Sequence, residues 1–381
     1  MTTKYDLIII GDGLAARCFL YELAKKSPSL NILQVFSEDK APACSFKTTS
    51  HICLNGVQLG VSKLGDLLFE SYKITENIFK TENPNGVYEG EQFSLCKDGE
   101  FGRSEFIRRY KKVDKFDTFT NNIDVSNLEN WGLFYHKYVI DAEAFMAWLK
   151  NQYESKLKID IKKAFVTSQI LSADSVEVVT SEQTYTTSKL LVCAGAYSKM
   201  FEEELDFEPL TKSKVVPGQY ITFEDVDWGS ENFAISKKKY TVCYRAYNNT
   251  LMIGGTSLNA DDDISDITPL EFEYEQIQKI LGDAKILPAF EKGIIRHGLR
   301  HKGWQRKPFW GLIKESESAK VYGMFGLYKN GFTFPFLGAK KLVEQMKLYK
   351  LGSFLTLFFY RALISSSTCF PFISLVVIVD F

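Results

Sequence analysis

The chain has 381 residues, of which 45% are hydrophobic and 24% are charged. This globular composition excludes a disordered chain, and the length predicts two to three domains. The 46 Lys and Arg residues balance the 47 Asp and Glu residues, so the formal net charge is -1. Proteins that bind nucleic acid through its phosphates normally carry a basic excess, so the balance makes nucleic acid an unfavoured partner.

The seven cysteines form no C-x-x-C pair and no grouping with histidine at the spacing of zinc ligands. We therefore expect reduced thiols, a reducing compartment and no metal site. The N-terminus lacks a basic region followed by the apolar core of a signal peptide. Together these features predict a cytoplasmic protein.

The first forty residues have the pattern of a β-α-β unit. Apolar runs at residues 5–10 and 31–36 predict strands, and the spacing over residues 14–26 predicts a helix between them. The first turn reads Gly11-Asp12-Gly13-Leu14-Ala15-Ala16. Its glycines allow a tight bend and a close approach to a diphosphate, and the helix N-terminus presents free N–H groups. This unit predicts dinucleotide binding, the alternative being an ordinary α/β turn that prefers small residues.

In such sites an acid at the end of the second strand binds the adenosine ribose. Here the strand ends at Phe36 and Ser37, and Glu38 follows. Either Glu38 takes this role on a slightly longer turn or the ribose contact is made differently. Glu38 could equally be a solvated surface acid.

Further along the chain, apolar spacing predicts helices over residues 61–79, 140–153, 269–282 and 335–348. Asp141 is the predicted N-cap of the helix over residues 140–153. Strand patterns occur at residues 92–96, 158–167, 175–180, 190–194, 215–225 and 240–256.

Seven short motifs follow one another in a set order. They are Gly11-x-Gly13-x-x-Ala16, LVCAGAYS at 191–198, PGQ at 217–219, IGGT at 253–256, GLR at 298–300, PFWG at 308–311 and G-x-x-x-NGFT at 326–333. In this order they resemble the D-amino-acid-oxidase-like family of FAD-dependent oxidoreductases, which includes glycine oxidase and sarcosine oxidase. The resemblance spans residues 4–346.

The resemblance implies an α/β fold in which a doubly wound, Rossmann-like FAD-binding domain is interleaved with an α+β substrate domain on an antiparallel sheet. The FAD-binding domain would comprise residues 1–79, 136–204 and 296–350. Residues 80–135 and 205–295 would form the substrate domain.

The resemblance also implies oxidation of a C–N bond in a small amine or amino acid. A hydride would pass to flavin N5, the imine would be hydrolysed, and oxygen or a quinone-like compound would accept the electrons. Two alternatives remain: oxidation of a modified tRNA base, and a flavin-binding protein without turnover. We expect noncovalent FAD, because no cysteine lies between residues 243 and 369 and the sequence around His51 is not typical of an attachment site.

Two side chains are candidate catalytic residues. Arg300 stands at the family's arginine position and is expected to bind a substrate carboxylate through its bidentate fork; the alternative is a structural arginine. His51 lies in the loop that the family brings beside the flavin and could act as an acid or base, or it could simply be a hydrogen-bonded polar residue. Tyr244 and Arg245 are expected to line the pocket.

The resemblance places the FAD-binding residues in the glycine turn, at strand ends, in the loop beside the flavin and in the last motif. They are Gly11, Gly13, Leu14, Ala15, Ala16, Ser37, Glu38, Thr48, Thr49, Ser50, Val166, Ala194, Gly195, Gly326, Lys329, Asn330, Gly331, Phe332 and Thr333. Val166 is expected to end a strand beside the adenine. Backbone N–H groups of residues 329–333 are expected to stabilise the negative charge of reduced flavin.

Residues 351–381 form a hydrophobic tail. Its uncharged run, residues 362–379, is 18 residues long, near the lower limit of about 17–25 residues for a membrane span. Four Ser and Thr residues at 365–368 and Pro371 interrupt the run. A membrane anchor, an interfacial segment, a tail packed on the body and an atypical terminus all stay open.

Overall fold

The computed structural model describes residues 3–26, 28–37, 44–46, 48–52, 63–95, 111–113, 132–237, 240–259, 262–281 and 287–348. Glu38 and the tail, residues 351–381, lie outside the described residues. The helices are α1 (Leu14–Ala24), α2 (Lys63–Glu82), α3 (Ala142–Glu154), α4 (Glu202–Leu205), α5 (Glu208–Thr211), α6 (Thr268–Leu281) and α7 (Pro335–Met346).

The strands divide among three sheets. They are β1 (Thr3–Tyr5), β2 (Leu7–Ile10), β3 (Asn31–Phe36), β4 (His51–Ile52), β5 (Val87–Leu95), β6 (Lys111–Val113), β7 (Gly132–Ile140), β8 (Lys158–Lys163), β9 (Val166–Leu171), β10 (Val176–Thr180), β11 (Thr184–Thr187), β12 (Lys189–Val192), β13 (Lys214–Phe223), β14 (Phe233–Lys237), β15 (Tyr240–Arg245), β16 (Thr250–Gly254), β17 (Ile294–Lys302), β18 (Phe309–Glu315) and β19 (Lys320–Phe325).

The first sheet has six strands in the order β18-β19-β12-β2-β3-β8. All pairs are parallel except β18 with β19 at one edge. All four residues of β2 are buried, as expected for a parallel strand covered on both faces. Leu7 and Ile9 pack with α1, α3 and α7, whereas Ile8 and Ile10 pack with a four-stranded sheet of order β1-β11-β10-β9.

Two local predictions are confirmed at the helices of this half. The helix predicted over residues 14–26 is α1, and its predicted inner face, including Ala16 and Leu20, is fully buried. Asp141 caps α3, since its side chain accepts hydrogen bonds from the backbone N–H of Glu143 and Ala144, both at 3.1 Å. Such a cap satisfies first-turn N–H groups that have no acceptor within the helix.

The third sheet has nine strands in the order β17-β13-β16-β15-β14-β5-β7-β4, with β6 also paired to β7. Its pairs are antiparallel except β14 with β5. Ile221, Val242 and Ile253 of one face belong to the core that includes α6. Tyr220 and Cys243 lie on the other face in a smaller buried cluster.

The predicted α/β fold, with a doubly wound parallel part and an antiparallel part, is confirmed by this arrangement. One strand prediction was wrong: residues 158–167 form β8 and the start of β9, which belong to different sheets. The domain boundaries stay a prediction. Strands β7 and β17 of the nine-stranded sheet each cross a predicted boundary, at residues 136 and 296. Within the described ranges, no helix is long and apolar enough to cross a membrane.

Candidate functional site

A cavity of about 440 Å³ lies between the six-stranded and nine-stranded sheets. Ile10, Phe36 and Phe325, which end β2, β3 and β19, line it from one side. Thr241 of β15 and Arg300 of β17 line it from the other. Ligands of doubly wound sheets bind outside the carboxyl ends of the parallel strands, which is where this cavity lies.

The glycine turn forms the part of the wall between β2 and α1. Gly11 has φ +117°, and a Cβ there would lie 2.5 Å from the carbonyl oxygen of Cys193, so only glycine fits. Gly13 is the N-cap of α1 and supplies no side-chain cap, and the first turn contains no acidic residue. The backbone N–H of Leu14 donates to Ser45 Oγ at 3.1 Å. The positive end of α1 is thus presented to the cavity, as a diphosphate requires.

Asp12 places a carboxylate in this turn, and the fold neutralises it. Arg17 binds Asp12 through two contacts, Nε to Oδ1 at 2.9 Å and Nη2 to Oδ2 at 2.6 Å. Arg17 Nη1 also donates to the carbonyl of Met146 at 2.8 Å, and Gln34 Nε2 donates to Asp12 Oδ1 at 3.1 Å. The pair cancels a negative charge that would otherwise repel a bound diphosphate.

The middle of the wall comes from strand ends and a small-residue turn. Gly195 has φ +58°, and a Cβ there would meet nothing within 4 Å, so open space lies beside this turn. Ser37 and Val166 also line the cavity. The prediction that Val166 ends a strand was wrong: it begins β9, because residues 164 and 165 separate the strands of two sheets.

Residues 326–333 form a continuous part of the wall before α7. Arg300, Lys302 and Lys329 each place a positive charge 5.8–5.9 Å from the centre of the Tyr328 ring. Burial alone would raise the pKa of Tyr328, but a hydrogen bond with Ser257 and these three charges together lower it. Burial, with Arg300 and Arg306 nearby, lowers the pKa of Lys329.

Arg300 lies against the PGQ motif. Its Nη2 donates to the carbonyl oxygens of Pro217 and Thr256. A Cβ at Gly218 would overlap this guanidinium, so the glycine of the motif makes room for Arg300. Among the described residues no acceptor is paired with Nη1 or Nε, so their three N–H donors remain for a ligand. Because each two-nitrogen fork of a guanidinium includes Nη2, a carboxylate would be bound through Nη1 or Nε singly and not through the expected bidentate fork.

Thr49, in the loop before β4, and His51, the first residue of β4, line the cavity. Thr49 Oγ1 lies 3.3 Å from His51 Nδ1. Arg245 Nη2 donates to the carbonyl of Thr49 at 3.0 Å, so Arg245 supports the loop and does not line the cavity. The expectation for Tyr244 was also wrong: its side chain is fully buried on the α6 side of the sheet, and its hydroxyl donates to the carbonyl of Gly229 at 3.1 Å.

His301 is a cavity residue that the sequence analysis did not single out as a candidate. It is 5% exposed and stacks on Phe325 with the ring centres 5.4 Å apart. Its Nε2 lies 2.7 Å from Ser213 Oγ. Burial lowers the pKa of His301 to about 4, which keeps the ring neutral at ordinary pH.

The structure brings most of the predicted site residues together around this cavity. Those that line it are Gly11, Gly13, Leu14, Ala15, Ser37, Thr48, Thr49, His51, Val166, Ala194, Gly195, Arg300, Gly326, Lys329, Asn330, Gly331, Phe332 and Thr333. Ala16 is fully buried in the core beneath α1. Ser50 is 2% exposed and donates from Oγ to the carbonyl of Thr48. The roles of all these residues stay predictions.

Several wall residues were missed from the sequence. Polar examples are Asp12, Ser45, Ser236, Thr241, His301 and Tyr328. Of these six, Asp12 and Tyr328 lie within motifs, and their place in a motif could have identified them. The other four had no such signal.

The wall fits FAD in three respects. The N-terminus of α1, whose N-cap Gly13 supplies no side-chain acceptor, faces the cavity where a diphosphate would bind. The turn at Gly195 leaves open space, and Arg300 and Lys329 supply positive charge. The diphosphate of FAD would be held by Gly11, Gly13 and residues 14–15. The flavin ring system would be held by residues 48–51 and 326–333. In the part of the chain that is described, no three His, Cys, Asp or Glu side chains are grouped to hold a metal ion.

Comparison with known proteins gives the same result. The family model for FAD dependent oxidoreductases (DAO) matches residues 6–345. A comparison with curated proteins finds no match.

Three solved structures illustrate the shared fold. Glycine oxidase from Geobacillus kaustophilus has 16% identity and a TM-score of 0.69, covering 94% of this chain and 98% of that one. L-proline dehydrogenase from P.horikoshii has 13% identity and a TM-score of 0.73, covering 92% and 96%. Reduced, FAD-bound L-alpha-glycerophosphate oxidase from Mycoplasma pneumoniae has 15% identity and a TM-score of 0.74, covering 91% and 95%. With the family model matching almost from end to end of the described chain, this protein belongs to the DAO family of FAD-dependent oxidoreductases.

Proposed function

We propose that this protein uses noncovalently bound FAD to oxidise a C–N bond in a small amine or amino acid that carries a carboxylate. The proposal rests on the position of Arg300. Its guanidinium lines the same cavity as the glycine turn and retains three N–H donors. Glycine oxidase and L-proline dehydrogenase, which share the fold, are named for amino-acid substrates.

The chain's own residues would bind the substrate and manage its proton. Arg300 would hold the carboxylate and so fix the position of the neighbouring carbon. When bound, FAD supplies a two-electron acceptor at N5 of its ring system, which matches hydride loss from the carbon beside nitrogen. Because the amine must be neutral to lose a hydride, a proton acceptor helps. Tyr328 lines the same cavity beside Arg300 and Lys329, so its hydroxyl could contact the substrate amine.

Oxygen or a quinone-like compound would then take the electrons, and the cytoplasm is the proposed location. Membrane association through the tail is a separate proposal. If the tail anchors the protein, deleting residues 352–381 should release it from the membrane fraction. An unchanged distribution between fractions would rule out an anchor.

The experiment is an oxidation assay with pooled amino acids and amines, in which a hydrazine traps the carbonyl product after imine hydrolysis. Oxygen and a quinone dye serve as acceptors in parallel samples. The unsubstituted protein should yield a carbonyl product, and Arg300→Ala should yield much less from carboxylate substrates. Product from modified tRNA alone would favour the tRNA-base alternative, and no product from any substrate would favour a flavin protein without turnover.

A further inference from the structure

The cavity wall on β14 and β15 carries two hydroxyl groups that the proposed function does not use. Ser236 Oγ and Thr241 Oγ1 lie 3.0 Å apart, and both side chains line the cavity. Behind them, Gln92 Nε2 donates to Ser236 Oγ at 2.8 Å. Gln92 and Ser236 are 2% and 3% exposed, so the sheet fixes this hydrogen-bonded chain in place.

The two hydroxyl groups of Ser236 and Thr241 have one more O–H donor than their mutual hydrogen bond uses. Ser236 Oγ already accepts a hydrogen bond from Gln92. If Ser236 donates to Thr241, the hydroxyl hydrogen of Thr241 stays available. If Thr241 donates to Ser236, the hydroxyl hydrogen of Ser236 stays available. In both arrangements the pair presents one O–H donor to the cavity. A donor held in a buried wall is costly unless a partner accepts its hydrogen bond.

The strand register gives the separation between this donor and Arg300. Val242, Ile253 and Ile221 lie in one row across β15, β16 and β13, and Gly254 pairs with Tyr220 in the next row. Thr241 precedes Val242, so extending the register places it level with Gly254 and Tyr220. The Arg300 guanidinium lies over Gly218 of β13. Two residues along a strand span about 7 Å, and two intervals between neighbouring strands span about 10 Å. Since these directions are perpendicular, the donor and the Arg300 guanidinium are about 12 Å apart.

A ligand that bridges the two groups needs two acceptor oxygens at a matching distance. Subtracting two hydrogen bonds of about 2.9 Å leaves about 6 Å between those oxygens. In glutamine, four carbon–carbon bonds of about 1.5 Å separate the two carbonyl carbons, a span of about 5 Å. Glycine is too short to make both contacts.

We infer that the substrate is an amino acid with a side chain of about glutamine length that ends in an oxygen acceptor. Arg300 binds its α-carboxylate, and the Ser236–Thr241 pair donates a hydrogen bond to the terminal oxygen. The inference rests on the proposed function and names the substrate class of the same site.

The test uses the FAD-loaded protein and two carboxylates that lack an amine and cannot be oxidised. Glutaramate ends in an amide, and 5-methylhexanoate has the same branched shape without polar atoms at that end. Each is titrated while the absorption of the bound flavin is recorded. Glutaramate should bind about three- to tenfold more tightly, as expected for one neutral hydrogen bond.

The preference for glutaramate should disappear in Ser236→Ala/Thr241→Val. If that variant does not fold, Thr241→Val alone gives the same readout with a smaller change. The matched control is Thr250→Val, because Thr250 is a buried strand threonine whose hydroxyl donates to Asn248. The control should keep the preference.

Equal affinities for the two carboxylates, or a preference that survives in the double variant, would overturn the inference while leaving the proposed function intact. If neither carboxylate perturbs the bound flavin, the carboxylate site at Arg300 is wrong, and the inference falls with it.

Discussion

Replacing Arg17 by methionine tests the charge balance of the diphosphate-binding turn. Arg17 is 12% exposed and Asp12 21% exposed in the pair. Without Arg17, Gln34 is the one donor to the Asp12 carboxylate that remains among the described residues. The uncompensated charge then faces the position where the diphosphate of FAD would bind. We expect FAD binding to weaken by about 1.5–3 kcal/mol, the repulsion between two unit charges about 6–10 Å apart at an effective dielectric constant of about 20, or about 10- to 150-fold.

The assay is titration of the flavin-free protein with FAD, followed by the quenching of flavin fluorescence. Asp12→Asn/Arg17→Met removes both charges and should recover FAD affinity to within about threefold of the unsubstituted protein. Lys25→Met is the matched control, since Lys25 lies at the opposite end of α1 and pairs with Glu22. It should leave affinity unchanged. An Arg17→Met variant with normal FAD affinity, or a double variant as weak as the single one, would refute the reasoning.

Two further predictions concern the substrate side, and a third concerns stability at acid pH. Arg300→Ala should raise KM for a carboxylate substrate by about 10- to 150-fold, from the loss of a charged hydrogen bond; an unchanged KM in steady-state assays would remove Arg300 from the site. Gly218→Ala should also raise KM, because its Cβ displaces the guanidinium, while FAD affinity stays normal. His301→Gln should reduce acid sensitivity. The pKa of His301 is lowered from 6.5 to about 4, so its contribution to stability is complete above pH 6.5 and is lost as pH falls to 4. That contribution is about 3 kcal/mol, and urea unfolding at pH 7 and 4.5 would show whether the variant loses less stability than the unsubstituted protein.

The glycine turn and the first helix could be predicted because their signals are local. Gly11 and Gly13 occupy a strand-to-helix turn that one short motif marks in the sequence. The carbonyl oxygen of Cys193, which a Cβ at Gly11 would meet, is distant in sequence and could not be predicted. Asp141 was predicted as an N-cap from a local signal as well, since a cap binds N–H groups two and three residues ahead.

The nine-stranded sheet shows why the remaining wall could not be predicted. Strand structure was expected over residues 240–256, and residues 240–245 form β15, whose side chains alternate between its two faces. Which face meets the cavity depends on the partners of the strand, so Tyr244 was placed on the wrong side. Ser236 and Thr241 meet through pairing of β14 with β15, and Gln92 joins them from 144 residues away in sequence. The register that brings these three residues together cannot be read from adjacent residues in the sequence.

The position of Arg300 could be predicted from its motif, but only the structure explains why glycine occupies position 218 beside it. The PGQ motif lies on β13 and the GLR motif on β17, and the register pairs Gly218 with Gly298. The absence of a side chain at Gly218 leaves room for the Arg300 guanidinium. The two motifs therefore form one feature of the wall.

The most direct test of the central claim is the visible absorption spectrum of the purified protein, recorded before and after anaerobic addition of pooled amino acids and amines. We expect the spectrum of oxidised flavin, and we expect acid precipitation to release that flavin into solution. The pool should bleach the bound flavin within the time of mixing and recording. A protein that cannot bind FAD would contradict the assignment of the Gly11 turn. A bound flavin that stays oxidised with every member of the pool would contradict oxidation of a small amine or amino acid.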